Sequence, residues 1–221
     1  MKREPPPARL PPFGNIVLPS GTILHRIHKR SQHYSATDFN PCLGRRTRFA
    51  PLRIVDPATP RSTICVPTLY AGQTFEAALW ETVFRDLPPL PNARLVFERT
   101  HVAGASHAEI TIARDLTFGA LFEPNLHLIG LTRRRLIECY GDRAYRWTVT
   151  WATAIHRDFS SFDGLAWTSR QHDPAQAYLL FGDRANATLQ LVNDRPIDTG
   201  TGYAQLQTIA ARFRITLVPT P

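Results

Sequence analysis

No apolar run in these 221 residues approaches the roughly 20 that a membrane span needs. The opening stretch, MKREPPPARLPPFG, carries charge but no apolar segment of the kind a secretory signal requires. Lacking both, the chain is expected in the cytoplasm. Cysteine is scarce. Cys42, Cys65 and Cys139 are an odd number, widely spaced and without a C-x-x-C pair, which argues against a disulfide framework and a structural zinc site. No G-x-G-x-x-G follows an apolar strand, and no G-x-x-x-x-G-K-[ST], H-E-x-x-H or G-x-S-x-G occurs. The eight histidines show no metal-like cluster, and His25 and His28 point to opposite faces of one predicted strand. No metal is therefore expected.

What is present is a foldable, basic chain. Hydrophobic residues make up 43% and charged residues 20%, enough to bury a core and too apolar for wholesale disorder. Lys and Arg number 26 against 18 Asp and Glu, a net charge of +8. The excess is mostly arginine and scattered, with one dense run at Arg133, Arg134 and Arg135. Basic helices interleaved with stacking aromatics, zinc-finger spacings and RNP-like strands are all lacking, so direct nucleic-acid binding is not expected. The charge suits a small anionic ligand such as a phosphate ester, an acidic protein partner, or simple solubility.

Six prolines fall in the first 19 residues, so residues 1–21 read as an extended Pro-rich arm and 22–221 as one domain. Residues 22–28 (TILHRIH) alternate as a strand, with Ile23, His25 and Ile27 on one face and Leu24, Arg26 and His28 on the other. Residues 31–63 are rich in turn formers, a loop long enough to suggest function, and contain GRRTRF at 44–49. A short apolar strand at 63–70 turns at Ala71 and Gly72. Thr74 then caps a helix predicted to run to about Asp86, before Pro88 and Pro89. Its stripe of Phe75, Ala78, Leu79, Thr82 and Val83 faces a core, and Glu81 projects beside small residues at the edge of that face. Strands are predicted over 94–102, 109–113, 165–169, 177–181, 189–192 and 213–218, and helices over 133–139, 143–156 and 205–211. Without a regular βαβ rhythm this is an α+β fold, a mixed or antiparallel sheet with packed helices.

Several polar residues then stand at element ends: Arg26, Arg48 beside Phe49, Tyr70, Glu81, and Ser169 with Arg170. A carboxylate near a buried face has a partner or a task. Taken singly, each has a plainer reading: an i,i+4 ion pair of Glu81 with Arg85, a surface charge for the arginines, core packing for Tyr70, a turn or cap for Ser169.

Taken together they resemble the RES domain family, named for its Arg, Glu and Ser positions. Residues 24–27 (LHRI) are similar to its opening strand, with His25 in place of the usual aromatic before Arg26. The stretches 44–51 (GRRTRFAP) and 68–81 (TLYAGQTFEAALWE) resemble its Gly-Arg-aromatic loop, Tyr strand and Ala-x-x-Glu helix. Arg48 matches by its aromatic neighbour, while Arg45 and Arg46 follow Gly44 more closely and remain alternatives. Residues 162–170 (FDGLAWTSR) and 177–183 (AYLLFGD) are similar to its Asp-Gly strand ending in Ser and the strand that follows. The resemblance spans roughly residues 22 to 192.

It implies a fold like that of the diphtheria-toxin class of ADP-ribosyltransferases. It also implies a toxin of a type II toxin–antitoxin system, silenced by an Xre-type antitoxin, in a homodimer or larger complex. Such a toxin consumes NAD+ as a substrate, with no cofactor, by breaking the nicotinamide–ribose bond, through hydrolysis, phosphorolysis or transfer to a protein. On that view Glu81, Arg26, Tyr70 and Ser169 are catalytic, and Arg48, Arg46, Phe49 and His25 bind NAD+. The chemistry agrees: a carboxylate steadies a developing oxocarbenium ion, and guanidinium groups grip a pyrophosphate in two-pronged fashion. The competing class is a basic module that sequesters an acidic protein or nucleic acid without chemistry. Loss of function in Glu81→Gln separates the two.

Overall fold

The computed structural model describes residues 4–31, 33–87 and 95–218. Strand β1 (Asn15–Leu18) and β2 (Ile23–Lys29) precede a hairpin of β3 (Leu52–Val55) and β4 (Thr63–Val66). Next come β5 (Thr68–Gly72), α1 (Phe75–Thr82), β6 (Leu95–Glu98), β7 (Ala105–Ile112) and β8 (Leu116–Ala120). Helices α2 (Asn125–Leu128), α3 (Arg133–Leu136) and α4 (Asp142–Asp158) lead to β9 (Gly164–Thr168) and β10 (Gln176–Phe181). The chain closes with α5 (Gly182–Ala185), β11 (Leu189–Pro196), α6 (Gly200–Arg212) and β12 (Ile215–Val218).

Eight strands form one sheet in the order β1-β8-β9-β10-β5-β2-β7-β11, all neighbours antiparallel except the parallel pair β8–β9. This is the α+β mixed sheet that the sequence predicts. Two small sheets, β3–β4 and the parallel β6–β12, lie beside it. Apolar side chains fill both faces. On one, α4 buries Trp147, Trp151, Ala154 and Ile155 against Phe49, Leu165, Trp167 and Leu179. On the other, Leu24, Leu69, Phe118, Tyr178 and Leu180 pack together. A separate core joins α1 and α6 through Leu79, Trp80, Phe84, Leu206 and Ile209.

The joint between β5 and α1 sets the site. Ideal Cβ atoms placed on Gly72 would come within 2.6 Å of the Ala78 backbone nitrogen, so only glycine lets the helix start this close to the strand. Thr74, extended at φ −133°, accepts the Ala77 N–H at 3.1 Å as an N-cap. The helix stops at Thr82, earlier than expected, where the Thr82 hydroxyl bonds back to the Ala78 carbonyl. Pro88 and Pro89 lie outside the described residues, as does the start of the 94–102 strand. The rest of that strand divides into β6 and a 3₁₀ turn, Arg99–Val102.

Three expectations need correction. The folded part begins ahead of Thr22: β1 pairs with β8, and Leu10 and Phe13 are buried against α4. The Leu10 N–H donates to Asp158 at 2.8 Å, and Arg157 donates to the Ala8 carbonyl at 2.7 Å. The 31–63 stretch is not all loop, since it holds β3, whose four residues are too few to show a period. Cys42 and Cys65 are joined in a disulfide, Cα–Cα 6.0 Å. Sequence spacing hides this pairing, because the β3–β4 hairpin folds the chain back to bring the two together.

Candidate active site

Strands β2 and β5 share a single register pair, His25 with Gly72, and then part. The gap between them opens as a cleft of about 220 Å³, with α1 on one side and the 40–51 loop on the other. Its lining includes Arg26, Arg45, Arg48, Tyr70, Glu81 and Arg85: four guanidiniums around one carboxylate. A more open depression of about 410 Å³, walled by Val83, Leu87, Val96 and Phe97 with Lys29 and Asp86 also lining it, adjoins it and shares Ile27 and Thr82.

Glu81 is the centre of the arrangement. Its Oε1 accepts the Ser169 hydroxyl at 2.8 Å and the Arg170 backbone N–H at 3.1 Å. Its other oxygen has no protein partner among the described residues. The proposed i,i+4 ion pair with Arg85 does not form; Arg85 pairs instead with Asp86 at 3.3 Å. Ser169 directly follows β9 and is fully buried at 0% exposure. A hydroxyl so enclosed donates to Glu81 and orients the carboxylate. Two residues at the start of β9 hold the strand in place. The Asp163 carboxylate accepts Thr117 N–H at 2.8 Å and Arg114 at 2.7 Å. Gly164 lies where an added Cβ would sit 2.1 Å from the Leu179 carbonyl. These are the physical requirements behind the Asp-Gly pair of the sequence.

The three loop arginines separate. Arg48 is buried, 5% exposed, with its guanidinium on the carbonyls of Ile137 and Cys139, and its Nε has no partner. The Thr148 hydroxyl holds the Arg48 carbonyl from α4. Arg45 lines the outer lip of the cleft. Arg46 stands outside it, paired with Asp142 at 2.9 Å. Phe49 is also outside, fully buried with its ring edge-on to Trp167 at 5.1 Å.

Tyr70 lines the cleft, but its hydroxyl is engaged. It receives the Phe49 N–H at 3.0 Å and meets the Thr47 hydroxyl at 3.0 Å, so it fastens the arginine loop to β5. Burial pushes its phenol up to about 12, and it stays protonated at neutral pH. Arg26 donates to the carbonyls of Ala36 and Asp38 at 2.6 and 2.8 Å. Burial lowers its guanidinium to about 10, which still leaves it cationic.

His25 is not among the cleft residues. Strand alternation sends it to the face opposite Arg26, where its Nδ1 meets His107 Nε2 at 2.9 Å. Glu109 lies across from it in register, so these three are the described residues closest in arrangement to a metal site. The Arg195 guanidinium points at the remaining His107 nitrogen, 3.4 Å away, so the hydrogen bonds run Arg195 to His107 to His25. That order occupies the lone pairs a metal would take and sets a cation beside it. Sequence reasoning missed Arg85 and Tyr145 on the cleft wall. Arg85 carries a visible signal, its i+4 spacing from Glu81; Tyr145 carries none.

Fold and site together define an α+β protein with one oriented carboxylate in an arginine-lined cleft between parting strands. The RES domain profile matches residues 23–214, and the chain belongs to the RES domain family. Among solved structures, the M. tuberculosis MbcT–MbcA toxin–antitoxin complex contains a chain similar in fold. Its TM-score is 0.53 at 15% identity, over 88% of this chain and 92% of that one. No curated protein matches the chain. Among the described residues no helix is long and apolar enough to cross a membrane.

Proposed function

We propose that this protein is a toxin enzyme that consumes NAD+ by cleaving its nicotinamide–ribose bond. The observation that carries the reading is Glu81, oriented by Ser169 at 2.8 Å and facing a cleft whose other charges are all arginine. Cleavage leaves neutral nicotinamide and a ribosyl centre of cationic character, which one fixed carboxylate stabilises. The free Glu81 oxygen faces that charge or binds a ribose hydroxyl, while Ser169 and the Arg170 amide hold the other. Arg45 at the lip and Arg48 on the cleft wall suit a pyrophosphate, which guanidiniums bind with charge-assisted hydrogen bonds. The cleft and its apolar neighbour together offer the two compartments that a dinucleotide needs. The fold shared with a chain of a toxin–antitoxin complex supports an antitoxin partner, which we take to be of Xre type, covering the cleft.

Incubation of the purified chain with NAD+, with and without phosphate, and mass spectrometry of the products tests this. Free nicotinamide with ADP-ribose marks hydrolysis, and ADP-ribose 1″-phosphate marks phosphorolysis. Label found on protein marks transfer. Intact NAD+ in both conditions, with no ADP-ribose on protein, rejects the proposal.

A further inference from the structure

The disulfide sits on the wall of the cleft. Cys42 lines it, beside Leu43 and Arg45, and is tied to Cys65 on β4, outside it. Apart from the Arg46–Asp142 ion pair, the loop around Cys42 has little else to hold it. Asn40 bridges to Thr68 at its start, and Thr47 turns onto the Ala50 carbonyl at its end. Between them, the backbone hydrogen bonds of residues 41–46 all run to one side chain, that of Asn40, which receives Leu43 N–H at 2.7 Å and donates to Leu43 O at 3.0 Å. Cys42 takes a left-handed φ of 65° and Gly44 one of 83°. Both sulfur-bearing residues are only half-buried, within reach of a small thiol.

We propose that Cys42–Cys65 is a thiol–disulfide modification site that governs ligand affinity at the cleft. In the forward step a dithiol reductant gives two electrons and two protons. The S–S bond breaks, two cysteine thiols form, and the reductant closes to its own disulfide. The oxidised form pins the lip that carries Leu43 and Arg45. The reduced form releases it, and the ligand must then order the lip again on binding. Arg48, Tyr70, Glu81 and Ser169 are fastened by other bonds and stay in place. The effect therefore falls on binding and leaves the chemical step alone. Ordering a residue or so of backbone corresponds to about a tenfold weaker affinity.

This inference rests on the proposed use of NAD+, so its test has two readouts. Alkylation and mass mapping first establish the pairing in oxidised protein. NAD+ turnover and amide exchange across residues 42–46 are then compared with and without a dithiol reductant. Reduction is expected to raise KM for NAD+ about tenfold, leave kcat within about twofold and speed exchange in 42–46. Cys65→Ser, outside the cleft, matches the reduced protein in both conditions. Exchange or KM that ignores the redox state overturns the inference, as does absence of the pairing. Absence of NAD+ turnover in both states with redox-dependent exchange overturns the proposed function and leaves the switch of the lip standing.

Discussion

At the scale of single residues, the proposed chemistry rests on one carboxylate, which one hydroxyl orients. Glu81→Gln keeps an oxygen for Ser169 and Arg170, so the fold survives; turnover of NAD+ falls about 10²- to 10³-fold, with an unchanged melting temperature. Full turnover in that variant removes Glu81 from the mechanism. Ser169→Ala leaves Glu81 with one hydrogen bond and more freedom. It lowers kcat about tenfold and changes KM much less, because the hydroxyl donates to Glu81 and acts through it. A proportionate change in KM instead restores Ser169 to ligand contact. His107 supplies a pH dependence of stability. Burial, with His25 and Arg195 beside it, holds its imidazole down at about 3, against 6.5 in the unfolded chain. Between those values the unfolded chain binds the extra proton. The His107 contribution to stability is therefore full above about pH 6.5 and is lost as pH falls toward 3, by up to a few kcal/mol. Urea midpoints at pH 7.5 and 5 report the decline, and His107→Asn flattens it; an equal decline in the variant assigns it elsewhere.

Among the elements, the N-terminal arm has the least regular form and a definite mechanical task. Its Phe13 ring lies edge-on to Phe159 at 5.1 Å and Phe162 at 5.5 Å. Phe162 in turn precedes Asp163 and β9, the strand that leads into Ser169. The arm thus braces the strand that aims Glu81. Phe13→Ala removes a buried ring and is expected to lower the unfolding free energy by about 3–5 kcal/mol in urea titrations. A loss below about 1 kcal/mol means the arm is not part of the core. The disulfide-tied lip is the opposite kind of element, held at one covalent point and free to move when that point opens.

At the scale of the whole molecule, the parts legible in sequence are those with a long period or a local cap. The Thr74 cap, the aromatic face of α4, the alternation of β2 and the apolar strands β9 and β10 all carry such signals. What escaped depends on distant partners. β1 is four residues among prolines and is a strand only because β8 lies beside it. The Cys42–Cys65 pair exists because a hairpin folds back. Glu81 stood out as one carboxylate on an apolar helix, but its tie to Ser169 was legible only through family resemblance, since spacing alone says nothing of two residues on different elements. His25 shows the converse: alternation placed it opposite Arg26 from the start, and that geometry prevailed over its neighbourhood in the chain. Glu81 and its orienting hydroxyl are 88 residues apart in sequence. During synthesis at roughly 5–20 residues per second, the carboxylate therefore emerges several seconds before the strand that aims it. A ribosome-bound or truncated chain that stops short of β9 carries every arginine of the cleft and no assembled centre. Under the function proposed above, the chain therefore has no oriented carboxylate until about three-quarters of its length has been built.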